Sequence, residues 1–236
     1  MSLRGDTRWL LVGNSRWHWA AEQQGQRRYW SVPTAHPLEV QPQRWAAVGP
    51  VPDGLLDPAR QLLLEQVPLR HMPQALGIDR ALAGFQAWSL AQAPVLVADA
   101  GTALSLTWID ERGRFAGGRL MAGAALQLRA LHLGTQALPA IDMAALEVPG
   151  GALEPWPQQT AQALLTGVLE GLAGALQRAA RQLALQEPRL QLWLTGGDAG
   201  RLAALLNSST SDQTPGVWRW DPGLCLDGLA RVAELS

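Results

Sequence analysis

The sequence predicts an α/β protein built twice over: two similar units, each three consecutive strands followed by helix, facing each other across a cleft, with domains over 1–92 and 93–236. Three observations carry this. Short runs rich in β-formers and punctuated by glycine turns occur first between residues 8 and 32 and again between 94 and 120. Helical apolar spacing follows each set. A strand, a glycine turn and a further helical pattern then close the second half.

In the first set, Arg8-Trp9-Leu10-Leu11-Val12 is a strand that turns at Gly13-Asn14-Ser15. It continues through Trp17-His18-Trp19 and returns after Gly25 as Arg28-Tyr29-Trp30-Ser31-Val32. Helical spacing begins with Leu62-Leu63-Leu64 after Pro58, and a second helix runs from Arg80 to Ala91. The second set opens with Pro94 to Asp99, turns at Gly101-Thr102, continues from Leu104 to Ile109, turns at Glu111-Arg112-Gly113 and returns from Phe115 to Leu120. Helices are predicted over Ala124–Leu133 and from Gln158 to about Leu185. In the longer one, Ala163, Leu164, Gly167, Val168, Gly171, Leu172, Ala175 and Leu176 make one apolar stripe. Leu190–Leu194 is a last strand, ending in Thr195-Gly196-Gly197 before a helix around Arg201 to Leu206.

Composition narrows the function. With 47% hydrophobic and 17% charged residues in 236, the chain can bury a sizeable core. A formal net charge of −1 gives no broad electrostatic footprint for nucleic acid or an anionic membrane. The sequence has no lysine, which removes the P-loop lysine, the pyridoxal-phosphate Schiff base and every lysine nucleophile. Cys225 is the single cysteine, so an internal disulfide, a cysteine zinc site and an iron-sulfur cluster are excluded. His18, His36, His71 and His132 are too scattered for a helical metal pair. No apolar run approaches a membrane span or a signal-peptide core, and the expected location is the cytoplasm. The eleven tryptophans are spread along the chain, as core and subunit-contact packing would have them.

Several short motifs carry chemistry. Glycine turns after the first strand of each unit expose backbone N–H groups suited to phosphate oxygens, although such turns also serve ordinary hairpins. Asp99-Ala100-Gly101-Thr102-Ala103 sets a carboxylate at a strand end, followed by a glycine and a hydroxyl. That carboxylate suits a cation beside bound phosphate, or simply the closing of its own turn. In Leu76-Gly77-Ile78-Asp79-Arg80, Asp79 suits either an N-cap or a general base beside a guanidinium that faces an anionic substrate.

With these motifs in order, the sequence resembles the type III pantothenate kinases, members of the acetate and sugar kinase, heat-shock chaperone and actin superfamily. The resemblance runs from about Trp9 to Leu229. It rests on Gly13-Asn14-Ser15, Gly77 to Arg80, Asp99 to Ala103, Gly117-Gly118 followed by Gly123, and Leu138-Pro139. It continues through Thr160 with Ala163 and Gly167, Thr195-Gly196-Gly197, and Leu224 to Gly228-Leu229.

The resemblance implies actin-like, ribonuclease-H-like domains and phosphorylation of pantothenate by ATP to 4′-phosphopantothenate, the first step toward coenzyme A. It implies Asp79 as the proton acceptor, with Gly77, Ile78, Arg80 and Thr160 contacting pantothenate. Gly13, Asn14, Ser15, Thr102, Gly196 and Gly197 are implied on the ATP side, with Mg2+ accompanying ATP. Asp99 is implied as ligand to a monovalent cation, K+ or NH4+. The family is homodimeric. Two departures stand out: the family's acidic residue two positions before the first glycine is Leu11 here, and its tyrosine before the substrate motif is replaced in Leu69-Arg70-His71-Met72-Pro73. A non-catalytic nucleotide-binding relative, or a kinase for another small hydroxylated substrate, are the alternative readings.

Overall fold

Strand β1 (Thr7–Val12) is buried on both faces, as its unbroken apolar run from Trp9 requires. It lies inside a four-stranded sheet, between β2 (Arg16–Gln23), which is antiparallel to it, and β4 (Arg44–Ala47), which is parallel. Strand β3 (Gln26–Pro33) forms the edge beyond β2. Gln24 and Gly25 join β2 to β3 with φ of 52° and 75°, the two left-handed residues that a twist-matched two-residue hairpin needs. The computed structural model to which these elements belong describes residues 7–34, 37–143, 153–208 and 216–235. His36 lies outside them.

The second sheet repeats the plan. Strands β5 (Val95–Ala100), β6 (Ala103–Ile109) and β7 (Phe115–Ala122) are neighbours in sequence order, and β5 takes the parallel strand β8 (Gln191–Thr195) on its other side. A short β9 (Trp218–Trp220) extends this sheet in parallel. In both sheets, then, the first strand of a three-strand set lies inside, flanked by its own successor and by a parallel strand from further along the chain. The α/β class and the repeated three-strand unit are both present.

The helices are α1 (Ile78–Ala91), α2 (Ala124–Gly134), α3 (Thr160–Ala184), α4 (Ala199–Ser208) and α5 (Leu224–Leu235). Gln92 ends α1 in the left-handed conformation, its N–H donating to the Trp88 carbonyl. No described helix is long and apolar enough to cross a membrane.

Two expectations are corrected. Around Leu62–Leu64 there is no α-helix: 3-10 turns occupy Pro58–Arg60 and Leu64–Gln66, and Gln61 and Leu63 between them are extended. The Leu62 N–H donates to the Trp45 carbonyl at 2.7 Å and its side chain is buried, so docking beside β4 overrides the local spacing, and Pro58 and Pro68 leave little room for a helix. In α3 the buried face is also rotated from the expected stripe. Val168, Leu172 and Leu176 are buried, but Ala163, Gly167 and Gly171 are exposed, and Leu165, Leu169 and Leu183 take their place. Leucine removes far more apolar area from water than glycine, so the helix turns its leucines inward.

The chain divides into two units. Unit 1 is Met1–Gln92 with Ile109–Ala116 and Gly223–Ser236, and unit 2 is Ala93–Trp108 with Gly117–Pro222. Two segments beyond residue 92 thus pack with unit 1. In one, the Arg70 N–H donates to the Gly113 carbonyl and the Phe115 N–H to the Arg70 carbonyl; in the other, α5 packs along α1, β1 and β4. One core cluster of unit 1 contains Leu10, Val12, Trp17, Trp19, Trp45 and Leu56. The core of unit 2 joins β5, β6 and β8 to α2, α3 and α4 through residues such as Leu96, Leu106, Leu128, Leu176, Leu194 and Leu202.

Candidate active site

In unit 1, Asp79 sits in the first turn of α1, after the N-cap Gly77. Its Oδ1 accepts the Arg80 backbone N–H at 2.8 Å, and its main-chain carbonyl accepts the Cys225 thiol of α5 at 3.5 Å. Burial pushes the Asp79 carboxyl above its ordinary value; the backbone N–H and the charge of Arg80 pull the other way and do not win. Ile78 is buried, while the Arg80 guanidinium lies over the Phe115 ring at 5.7 Å. Burial lowers the Arg80 pKa, with Asp79 opposing, and an arginine remains a cation.

Gly13-Asn14-Ser15 forms the tight turn between β1 and β2, closed by the Gly13 N–H to the Arg16 carbonyl at 3.0 Å, with Asn14 and Ser15 exposed. The end of β4 lies alongside: Val48 and Gly49 both donate to the Val12 carbonyl, and Gly49 packs against the Gly13 backbone. Leu11 is 7% exposed and pairs with His18 across the strands, so both face the same side of the sheet. His18 meets Ser31 Oγ through Nδ1 at 2.8 Å, and burial, then Arg16, lowers its pKa. The turn therefore offers neutral donors and acceptors, and position 11 supplies no carboxylate. A divalent ion would reach it through ATP oxygens and water rather than through a side chain there.

In unit 2, Asp99 is half-buried near the end of β5 and pairs with Thr195 on β8. The Gly196 backbone, at φ +97°, crosses beside it: a β-carbon there would stand 2.5 Å from Asp99 Oδ1 and 2.6 Å from the Ala100 carbonyl carbon. The Asp198 N–H donates to the Ala100 carbonyl, and the Gly123 N–H, at the start of α2, donates to the Thr102 carbonyl, each at 3.0 Å. Asp99, Gly101-Thr102 and the Gly196-Gly197 turn are thus braced on one another. Their carboxylate and main-chain oxygens are hard donors suited to a monovalent cation. Among the described residues no group of three or more His, Cys, Asp or Glu is placed to hold a metal ion. Thr160 is the exposed first residue of α3, and no described hydrogen bond joins it to Asp99 or Thr102.

Two residues of these turns escaped the sequence reading. Asp198, directly after Gly196-Gly197, is half-buried; burial raises its pKa and Arg201, at 3.7 Å, opposes that. Its signal was an acid following a strand and two glycines. Gly49 follows a four-residue strand, too short for a periodicity to announce.

A type III pantothenate kinase of Synechococcus elongatus is 35% identical over 247 residues, covering 95% of this chain and 95% of that protein. The chain belongs to the type III pantothenate kinase family. The family model of that description matches residues 62–182, from the segment before Asp79 through most of α3. Two further type III pantothenate kinases are similar over nearly their whole length. That of Synechococcus sp. strain JA-3-3Ab is 36% identical over 97% of this chain and 93% of its own, and that of Gloeobacter violaceus 34% identical over 96% and 100%. A crystal structure of a conserved Baf family protein from Campylobacter jejuni shares the fold, with a TM-score of 0.64 at 21% identity over 97% of this chain and 98% of that one.

Proposed function

We propose that this type III pantothenate kinase family member transfers the γ-phosphoryl group of ATP to the hydroxyl of pantothenate, giving 4′-phosphopantothenate and ADP at the first step of coenzyme A synthesis. Asp79 takes the hydroxyl proton as the oxygen bonds to phosphorus and the bond to the ADP oxygen breaks. The observation that carries this is the place of Asp79, half-buried in the first turn of α1 beside Arg80, because a carboxylate partly withdrawn from solvent is a stronger base than an exposed one. Arg80, beside it, supplies positive charge for an anionic substrate, and Gly77, Ile78 and Thr160 complete the assigned pantothenate contacts.

Gly13, Asn14 and Ser15 and, in unit 2, Thr102, Gly196 and Gly197 are assigned to ATP through backbone N–H groups and short polar side chains. Asp99 is assigned to K+ or NH4+, which offsets phosphate charge when bound, and Mg2+ is assigned to the ATP phosphates. The proposal includes a cytoplasmic homodimer. Leu120 on β7 and Leu133 on α2, 65% and 74% exposed, are apolar side chains that a partner subunit would cover.

Leu11 favours a second reading, a nucleotide-binding relative without turnover. Incubation of the purified protein with pantothenate, ATP, Mg2+ and K+, followed by mass spectrometry, separates the two. Phosphopantothenate and ADP in equal amounts are expected; no product at any Mg2+ or K+ concentration would support the second reading.

A further inference from the structure

We infer that the C-terminal helix α5 is a positioning element for Asp79, with Cys225, Gly228 and Arg231 as positioning residues. This rests on the reading of Asp79 as the base. Three contacts link α5 to α1. The Cys225 thiol donates to the Asp79 carbonyl at 3.5 Å, Gly228 lies against the Leu82 carbonyl, and Arg231 Nε donates to Gln86 Oε1 at 2.7 Å. The partners advance by three residues on α5 and by three and four on α1, so the two helices run in the same direction and in step, one contact per turn.

The middle contact fixes the separation. A β-carbon at Gly228 would collide with the Leu82 carbonyl oxygen and carbon, so only glycine permits this approach, and Leu82 stands one turn beyond Asp79. The upper contact reaches the base directly, because its hydrogen bond ends on the main chain of Asp79.

A flank of α5, about 100° round the helix from Gly228, is pinned to the sheet. Asp227 Oδ1 accepts from Arg27 at 2.8 Å and from the Tyr29 hydroxyl at 2.7 Å, and Arg27 also bonds Glu22. The Tyr29 ring fills the space beside Gly223, where a β-carbon would stand 2.5 Å from Cζ. With α5 also tied to β3, added bulk at Gly228 is expected to be taken up at least in part by α1.

A misplacement of 1 Å costs about 10²-fold in rate, so a shift of half that costs about tenfold. Gly228→Ala is therefore expected to lower kcat about tenfold, with KM for ATP unchanged within about twofold. Cys225→Ala should lower kcat by a smaller factor, and Cys225→Ser, which keeps a donor, should restore it. Leu176→Ala, in the core of unit 2, serves as a control of comparable destabilisation that leaves α1 untouched.

Wild-type kcat in folded Gly228→Ala and Cys225→Ala would overturn the inference, and so would an equal kcat loss in Leu176→Ala. If Gly228→Ala does not fold, the Cys225→Ala and Cys225→Ser pair decides alone. Asp79→Asn in the same series separates the two claims. Its retention of activity would sink the base assignment itself, whereas its loss beside wild-type Cys225 and Gly228 variants would sink only the positioning.

Discussion

Gly196 and Asp99 occupy adjoining strand ends so closely that a β-carbon on Gly196 would stand 2.5 Å from Asp99 Oδ1. The parallel pairing of β5 and β8 creates this proximity, since Asp99 and Thr195 are register partners and the chain turns immediately afterwards. The glycine leaves room for the carboxylate, and its φ of +97° suits no other residue without strain.

Gly196→Ala is expected to displace the Asp99 carboxylate and to cost about 1–3 kcal/mol in backbone strain. Asp99→Asn removes the charge without the strain. Both should blunt activation by potassium, measured as initial rate against K+ at matched ionic strength with Na+ as the balancing ion. A wild-type potassium response in both variants would identify Asp99 as a residue that only closes its turn.

Leu11→Asp puts a carboxylate at a position 7% exposed, across from His18. Losing the buried leucine and desolvating a charge should cost at least about 2 kcal/mol at pH 8, where His18 is neutral. Below the His18 pKa the new carboxylate gains a cationic partner, and this pair should raise the His18 pKa, so the loss in Tm should shrink as pH falls from 8 to 6. Thermal melts at the two pH values test this. An equal loss at both would show that the two side chains do not meet.

The three-strand sets were legible because each alternates β-formers with glycine turns at short spacing, and α1 because apolar residues recur at helical spacing from Arg80 to Ala91. Strand β4, Arg44-Trp45-Ala46-Ala47, and β9, Trp218-Arg219-Trp220, were not, since three or four residues carry no period. Leu62 misled because its spacing is helical while its backbone bonds to Trp45. The site motifs were legible as residue types. Their bracing was not: the contacts of Gly196 with Asp99 and of Gly228 with Leu82 join residues far apart in sequence, and local pattern does not encode such proximity.

Two carboxylates should respond to neutralisation with opposite sign. Burial raises the Asp79 pKa above 3.8, so its ionised form destabilises the folded state at pH 7 and that cost disappears below about pH 3.8. Burial also acts on Asp110, but the N–H groups of Arg114 and Arg112 and the Arg114 guanidinium, at 2.6–3.0 Å, outweigh it and lower its pKa. Asp110 therefore stabilises above pH 3.8 and loses that contribution as pH falls through its depressed folded value.

At pH 7, then, Asp79→Asn should match or exceed the wild-type Tm, while Asp110→Asn should lose about 1.5–3 kcal/mol, the range for hydrogen bonds to a charged group. Urea unfolding at pH 7 and pH 3 measures both differences. A large loss of stability in Asp79→Asn at pH 7 would contradict the desolvated carboxylate described here.

Turnover of Asp79→Asn with pantothenate, ATP, Mg2+ and K+ bears most directly on the assignment of Asp79 as the base. The substitution keeps size and an acceptor oxygen and removes only the proton-accepting charge. General-base catalysis contributes about 10²–10⁴-fold, so kcat should fall at least about a hundredfold in a variant whose melt shows a folded protein. A folded Asp79→Asn with kcat near wild type would contradict that assignment.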